Sequence, residues 1–350
     1  MKNILLYNVG PLTSNYAGVH TYCDVLLPFV NELYKNKYEV TWAGMELENK
    51  INNAFVNKAL KSNHIKKNIY DIRSKIKILK QSPDVNIDNY DLLFLQVRPK
   101  ENKIETFAVN ELIRKFLCKK KQVFVWQQDL FDSIKKQYKD KVILLRPTTQ
   151  EDKSYEKQYE FDFFTWNYEK HFNNKLKDKK LFDFCFIGNI YEREEAFKRF
   201  FKNFNIKDNF VAGNWISNEK KRKFSNKFKN LKFIDITPHY AAIPLMNMSK
   251  YTIQILPEFA AERGLATARV FTSQIARTLC FCDKKIKDAE KYFPEELIVK
   301  NFDDMSSRIR DIEDNDLYNK LLDKRAQLLK HDTVEERVKQ FGDIIKENEK

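Results

Sequence analysis

Glycine and proline are scarce, at 7 and 9 of 350 residues. So few turn formers argue against a β-sandwich, which needs tight turns between many short strands. Cysteine is also sparse. The five, Cys23, Cys118, Cys185, Cys280 and Cys282, are odd in number, form no CxxC pair and fall mostly in apolar runs. That excludes a disulfide scaffold and gives no zinc pattern; the reading is reduced core thiols in a cytoplasmic protein. No apolar run reaches the eighteen or so residues of a membrane span. The opening MKNILLYNVG is too short in apolar residues for a signal peptide. No DxD motif has a clear placement, so a divalent metal is compatible with the sequence but not indicated by it.

What is present is apolar bulk and positive charge. Hydrophobic residues make up 43%, with 28 Phe and 16 Tyr, enough to bury large cores. The length suits two domains. The net charge of +14 has two readings: a Lys- and Asn-rich composition of AT-rich coding origin, or a polyanionic partner such as nucleic acid or an anionic membrane surface.

The pattern along the chain is strand, loop, helix, strand. NILLYNV (3–9) is a buried-strand run and PLTSNYAG a polar loop. Val19, Tyr22, Val25, Leu26, Phe29, Val30 and Leu33 share one helical face, and 38–44 reads as a second strand. Runs 91–97 and 122–128 are strands flanking a helix at 105–120; 142–145 and FDFFTW (161–166) read as further short strands. The predicted class is α/β, two doubly wound Rossmann-like domains facing a cleft. The first spans 1–170, a Lys/Asn-rich linker 171–180, and the second 181–335. A helix over 336–350 returns to the first domain, with Thr333 and Glu336 in a capping-box pattern.

Two stretches of the second half point to an anion. LFDFCFIG (181–188) reads as a strand ending at Gly188, followed by Asn189 and a helix near Arg193. A glycine lets backbone approach a ligand, a helix start favours phosphate, and arginine donates in bidentate fashion. The bland alternative is an ordinary strand–helix turn. GLATARVFTSQIA repeats the logic: Gly264 to Thr267 would open a second helix, with Arg269 one turn in. Two such starts favour a diphosphate. In the first half, VFVWQQDLF places Asp129 just after a strand, where a carboxylate points into a cleft and can serve as a base. Asp129 as the N-cap of the next helix stays open, with Asp132 a competitor. His20, at a helix start, reads either as a phosphate contact or base or as an exposed residue without a role. Lys119 to Lys121 and the run 219–232, with Phe224 and Phe228 among lysines, are weaker pointers to nucleic acid.

On these motifs the second half resembles the donor domain of the GT-B glycosyltransferases. Over most of its length, at a low level, the chain is similar to the DNA glucosyltransferases of T-even phages. The resemblance implies transfer of a hexose, glucose foremost, from a UDP-sugar such as UDP-glucose. The acceptor implied is the hydroxymethyl group of 5-hydroxymethylcytosine or 5-hydroxymethyluracil in double-stranded DNA. It implies Arg193 and Arg269 on the diphosphate, Ile236 and Thr237 (before Pro238) at the base, and Glu258 near the sugar. It also implies Asp129 as the catalytic base of an inverting reaction, assisted by His20. Two departures stand out. Thr272 occupies the place of a carboxylate that grips the ribose, and Tyr191 lies near that of a second diphosphate arginine. A monomer in the cytoplasm, of an infected host if phage-encoded, is expected. The alternatives are a GT-B enzyme acting on a surface polysaccharide, protein or small molecule, and a non-catalytic nucleic-acid-binding protein on the same fold.

Overall fold

The computed structural model describes residues 1–8, 25–44, 77–79, 86–97, 103–127, 134–172, 175–188, 190, 193–212, 218–234 and 242–349. In chain order the first half contributes β1 (Asn3–Asn8), α1 (Leu27–Lys35), β2 (Glu39–Gly44), β3 (Lys77–Leu79), β4 (Leu92–Val97), α2 (Lys103–Cys118), β5 (Gln122–Gln127), α3 (Lys136–Lys139), β6 (Ile143–Arg146) and β7 (Lys157–Glu160). The strands form one parallel sheet in the order β3-β2-β1-β4-β5-β6-β7. Ile4 is in register with Val40 on one side and Leu92 on the other. The chain therefore leaves β1 in one direction and returns to its other side at β4, which makes β1/β4 the switch point.

Central parallel strands are covered on both faces, so they are apolar throughout rather than alternating. β4 is buried at every position. Its two faces feed different cores. Ile4, Leu6, Phe94, Phe124 and Trp126 pack with α1 on one side. Leu5, Leu93, Leu95, Val123 and Val125 pack with Val109, Ile113 and Phe116 of α2 on the other.

The second half contributes α4 (Tyr168–Phe172), β8 (Phe182–Ile187), α5 (Glu194–Phe201), β9 (Asn209–Ala212), α6 (Asn218–Lys227), α7 (Ala242–Asn247), β10 (Ser249–Gln254), α8 (Glu258–Ala261), α9 (Ala268–Ile275), β11 (Leu279–Asp283), β12 (Ile298–Val299), α10 (Phe302–Asp314), α11 (Tyr318–Leu328) and α12 (Val334–Glu347). Its sheet is also parallel, in the order β12-β11-β10-β8-β9, with the switch point between β8 and β10. Lys180, just before β8, donates to the carbonyls of Asn247 and Arg277 at 2.7 Å each, tying 175–180 to the second sheet's helices.

The two sheets meet through segments that follow the carboxyl ends of their strands. The Thr148 hydroxyl, past β6, donates to Arg263 O at 2.8 Å, and Ala266 N donates to Pro147 O at 3.2 Å. Asp162, past β7, accepts from Tyr292 Oη at 2.8 Å and pairs with Lys291 at 3.0 Å. The carboxyl ends of the sheets thus face one another. That is where ligands bind in open α/β sheets.

One expected strand is absent. FDFFTW (161–166) forms no strand; Thr165 alone makes an isolated bridge, to Thr333. Phe161, Phe163 and Phe164 are all buried, so the run is apolar because it threads between the sheet and α12. The edge strand β7 lies just before it, in KQYE, where partial exposure removes the apolar signal.

α12 packs back against α1 and, through Phe341, against the first sheet. Its N-cap Thr333 accepts from Glu336 N at 3.3 Å. Phe341 is fully buried, with ring centroids 5.1 Å from both Phe94 and Phe124 and 5.9 Å from Phe29. Replacing it by alanine removes the centre of this cluster. F341A should destabilise the protein by about 3–5 kcal/mol in urea unfolding. A loss below about 1 kcal/mol would mean that this ring does not hold α12 to the sheet.

Candidate functional site

Three features converge at the switch point of the second sheet. β8 ends at Ile187, and Gly188 follows in a conformation, φ 154°, that side chains disfavour. A Cβ on Gly188 would collide with Nη2 of Arg269, so the glycine makes room for the guanidinium. Arg269, in the first turn of α9, is buried. Its Nη2 donates to Ile187 O at 2.6 Å and its Nη1 to Gln254 Oε1 at 3.2 Å. The guanidinium lies 4.3 Å from the centroid of Phe186.

Among the described residues no carboxylate pairs with Arg269, and its Nε has no hydrogen-bond partner. Burial, and after it the positive charge of Arg193, push Arg269 down to about 9, so it is cationic at neutral pH. A buried cation whose charged neighbour is another cation favours an added anion.

The helix starts add to this. Arg193 is the N-cap residue of α5 and its own side chain caps nothing. The carboxylates in that helix's first turn are engaged elsewhere, Glu194 with Lys227 and Glu195 with Lys198. α9 has no acidic residue in its first turn. Thr267, its N-cap, directs its hydroxyl to Gln254 instead of to the helix, accepting from Nε2 at 2.8 Å. The first amides of α9 therefore keep their affinity for an acceptor.

Gly188, Arg193, Thr267 and Arg269 are thus brought together. Thr272 lies one turn further along α9 and is buried. Gly264 does something other than expected. The helix begins at Ala268, and Gly264, at φ 62°, closes α8: its N–H donates to Ala261 O at 3.1 Å, and Leu265 N donates to Ala260 O at 3.1 Å. Glu258 opens α8, is exposed, and sits 3.8 Å from Lys285. Asp129, His20, Asn189, Tyr191, Ile236, Thr237 and Pro238 lie outside the described residues.

Gln254 is a site residue that the sequence reading did not single out. It is buried at the carboxyl end of β10 and bonds both Arg269 and Thr267. A lone glutamine at the end of the apolar run YTIQIL was the available signal. Arg199 of α5 pairs with buried Asp283 at the end of β11, which fixes α5, and so Arg193, to the sheet.

The lysine runs divide. Lys121 donates to Ile87 O at 2.7 Å and Lys119 pairs with Asp88 at 3.2 Å, so these two serve the local fold. Just past α6 the Phe228 ring is buried against Phe197, 5.8 Å away, while Arg222 and Lys223 of the helix are exposed. Among the described residues no helix is long and apolar enough to cross a membrane, and no group of three His, Cys, Asp or Glu side chains converges as a metal site would.

Two parallel doubly wound sheets with facing carboxyl ends are the fold of the GT-B glycosyltransferases. Among solved structures, the T4 phage β-glucosyltransferase in complex with UDP-glucose is similar to this chain with a TM-score of 0.66 and 14% identity, over 99% of this chain and 98% of its own. An α-glucosyltransferase in complex with UDP and a 13-mer DNA gives 0.62 and 13% over 99% of each chain. Sucrose-phosphate synthase from Thermosynechococcus elongatus gives 0.60 and 11% over 99% of each. No protein-family model matches the chain, and no curated protein matches its sequence.

Proposed function

We propose that the protein is a DNA glycosyltransferase. It moves a hexose, glucose foremost, from a UDP-sugar to the hydroxymethyl group of a modified pyrimidine in duplex DNA. The observation that carries the reading is Arg269, buried beside Gly188 without a carboxylate partner among the described residues. A nucleoside diphosphate supplies the missing negative charge. The similar structures, solved with UDP or UDP-glucose and in one case DNA, support that choice, as does the net charge of +14.

In this mechanism Asp129 takes the proton of the acceptor hydroxyl. The oxygen attacks the anomeric carbon as the bond from that carbon to the diphosphate oxygen breaks. UDP leaves with the bonding electrons, and the anomeric configuration inverts. Arg269, Arg193 and the amides at the start of α9 stabilise the charge that develops on the leaving diphosphate. His20 contacts the sugar or assists the base. Glu258 lies near the sugar, Ile236 and Thr237 at the uracil, and Asn189 with Gly188 along the diphosphate. Thr272 meets the ribose with a hydroxyl, a weaker acceptor than a carboxylate.

The test is transfer read by nucleoside mass spectrometry, with and without a divalent cation. UDP-glucose and UDP-N-acetylglucosamine are offered with duplexes containing 5-hydroxymethylcytosine, 5-hydroxymethyluracil or unmodified bases. One added sugar on a hydroxymethylated base is the expected result. UDP-sugar binding or slow hydrolysis without transfer to any DNA would favour the second reading, a GT-B enzyme for a non-DNA acceptor. The likeness to sucrose-phosphate synthase favours that reading.

A further inference from the structure

A second arginine lies behind the anion site. Arg325, in α11, has no exposed surface. Its Nη1 donates to Ser273 Oγ at 2.9 Å and its Nη2 to Val270 O. The guanidinium sits 4.7 Å from the centroid of Phe293, and Nε has no partner. Among the described residues no carboxylate pairs with it. The ionisable groups that act on it are the thiols of Cys280 and Cys282, which burial keeps protonated. Burial pulls Arg325 below the usual arginine range, but a guanidinium stays protonated in a protein, so Arg325 is a buried cation with no counterion among the described residues.

Its bonds all lead to α9. Ser273 Oγ, which accepts from Arg325, donates in turn to Arg269 O at 2.7 Å. Guanidinium, hydroxyl and carbonyl make a relay that ends on the backbone of Arg269. Helical carbonyls inside α9 are already bonded within the helix, so the helix itself does not require these donors. An apolar side chain of similar volume would fill the core at lower cost than an unpaired cation. Cys280 feels both Arg269 and Arg325, which places the two charges around one thiol.

We infer that Arg325 is a positioning residue for the donor diphosphate: through Ser273 it fixes the turn of α9 that carries Arg269, and its charge adds to the field at the anion site. This rests on the nucleoside-diphosphate reading above. A charge in the interior acts over longer range than one in solvent, and it discriminates among ligands by their own charge. The diphosphate gains most, the monophosphate less and the nucleoside nothing.

Titration calorimetry of UDP, UMP and uridine against the full chain, R325M and R325K tests this. R325M should weaken UDP about tenfold or more, UMP less, and uridine by less than about twofold. R325K, which restores the charge, should recover most of the loss. Equal losses for UDP and uridine would show a merely structural role and overturn the inference, as would unchanged UDP affinity in R325M. Should R325M fail to fold by circular dichroism, S273A replaces it. That variant cuts the relay and keeps the charge. A selective loss of a few-fold for UDP supports the inference, and wild-type affinity overturns it. A wild-type chain that binds no UDP would overturn the nucleoside-diphosphate reading, and this inference with it.

Discussion

Arg269→Met should weaken UDP binding by roughly a hundredfold while leaving the fold in place. The magnitude follows from the geometry. Nη1 and Nη2 each hold a protein acceptor, Gln254 Oε1 and Ile187 O, so the guanidinium is oriented before a ligand arrives. Charge-assisted bonds to a diphosphate contribute about 1.5–3 kcal/mol each, and about 2.7 kcal/mol is a hundredfold in Kd. Methionine keeps much of the volume over Phe186. It also removes a buried cation, which relieves a desolvation cost, so the melting temperature should hold or rise. Gly188→Ala gives a second route to the same result. The charge stays, but the new methyl displaces the guanidinium and strains the backbone, so UDP affinity should fall in a protein with every arginine intact. Calorimetry with UDP reads both variants. Unchanged affinity in either would place the diphosphate elsewhere.

Asp129→Asn should lower kcat by about two to four orders of magnitude with little change in UDP or DNA affinity. Asparagine matches aspartate in shape and cannot take the proton of the acceptor hydroxyl. The described structure reaches Gln127 at the carboxyl end of β5, two residues before Asp129, on the edge of the first sheet that faces the second. Single-turnover transfer to hydroxymethylated duplex, alongside separate binding titrations, separates catalysis from recognition. A variant retaining more than about a tenth of wild-type kcat would assign the base to another group. If Asp129 instead caps a helix, D129N should keep activity, because asparagine caps as well as aspartate.

The parts of the fold that were legible share a physical cause. β1, β4 and β5 are central parallel strands, and burial on both faces writes them as largely apolar runs; β8 and β10 keep enough buried aromatic and branched residues to show as well. Gly188 and Arg193 were legible because a glycine after such a run and an arginine at the next helix start have a local meaning. FDFFTW misled because aromatic content reports burial, not hydrogen bonding: its rings fill the crossover between the sheets. β7 was invisible because an edge strand such as KQYE is partly polar. Gly264 was given to the wrong helix, since a glycine that closes one helix and a glycine that opens the next look alike in one dimension. Gln254 and Arg325 were not singled out because their meaning is tertiary. Each becomes informative only once β10 and α11 are set against α9.

Titration of UDP into the unmodified chain tests most directly the claim that the switch point of the second sheet is a nucleoside-diphosphate site. The account expects saturable binding with a Kd of roughly micromolar order, weaker for UMP and weaker again for uridine, and lost on Arg269→Met. No saturable binding of UDP or any other nucleoside diphosphate up to about 10 mM would contradict it, as would UDP binding that is indifferent to Arg269.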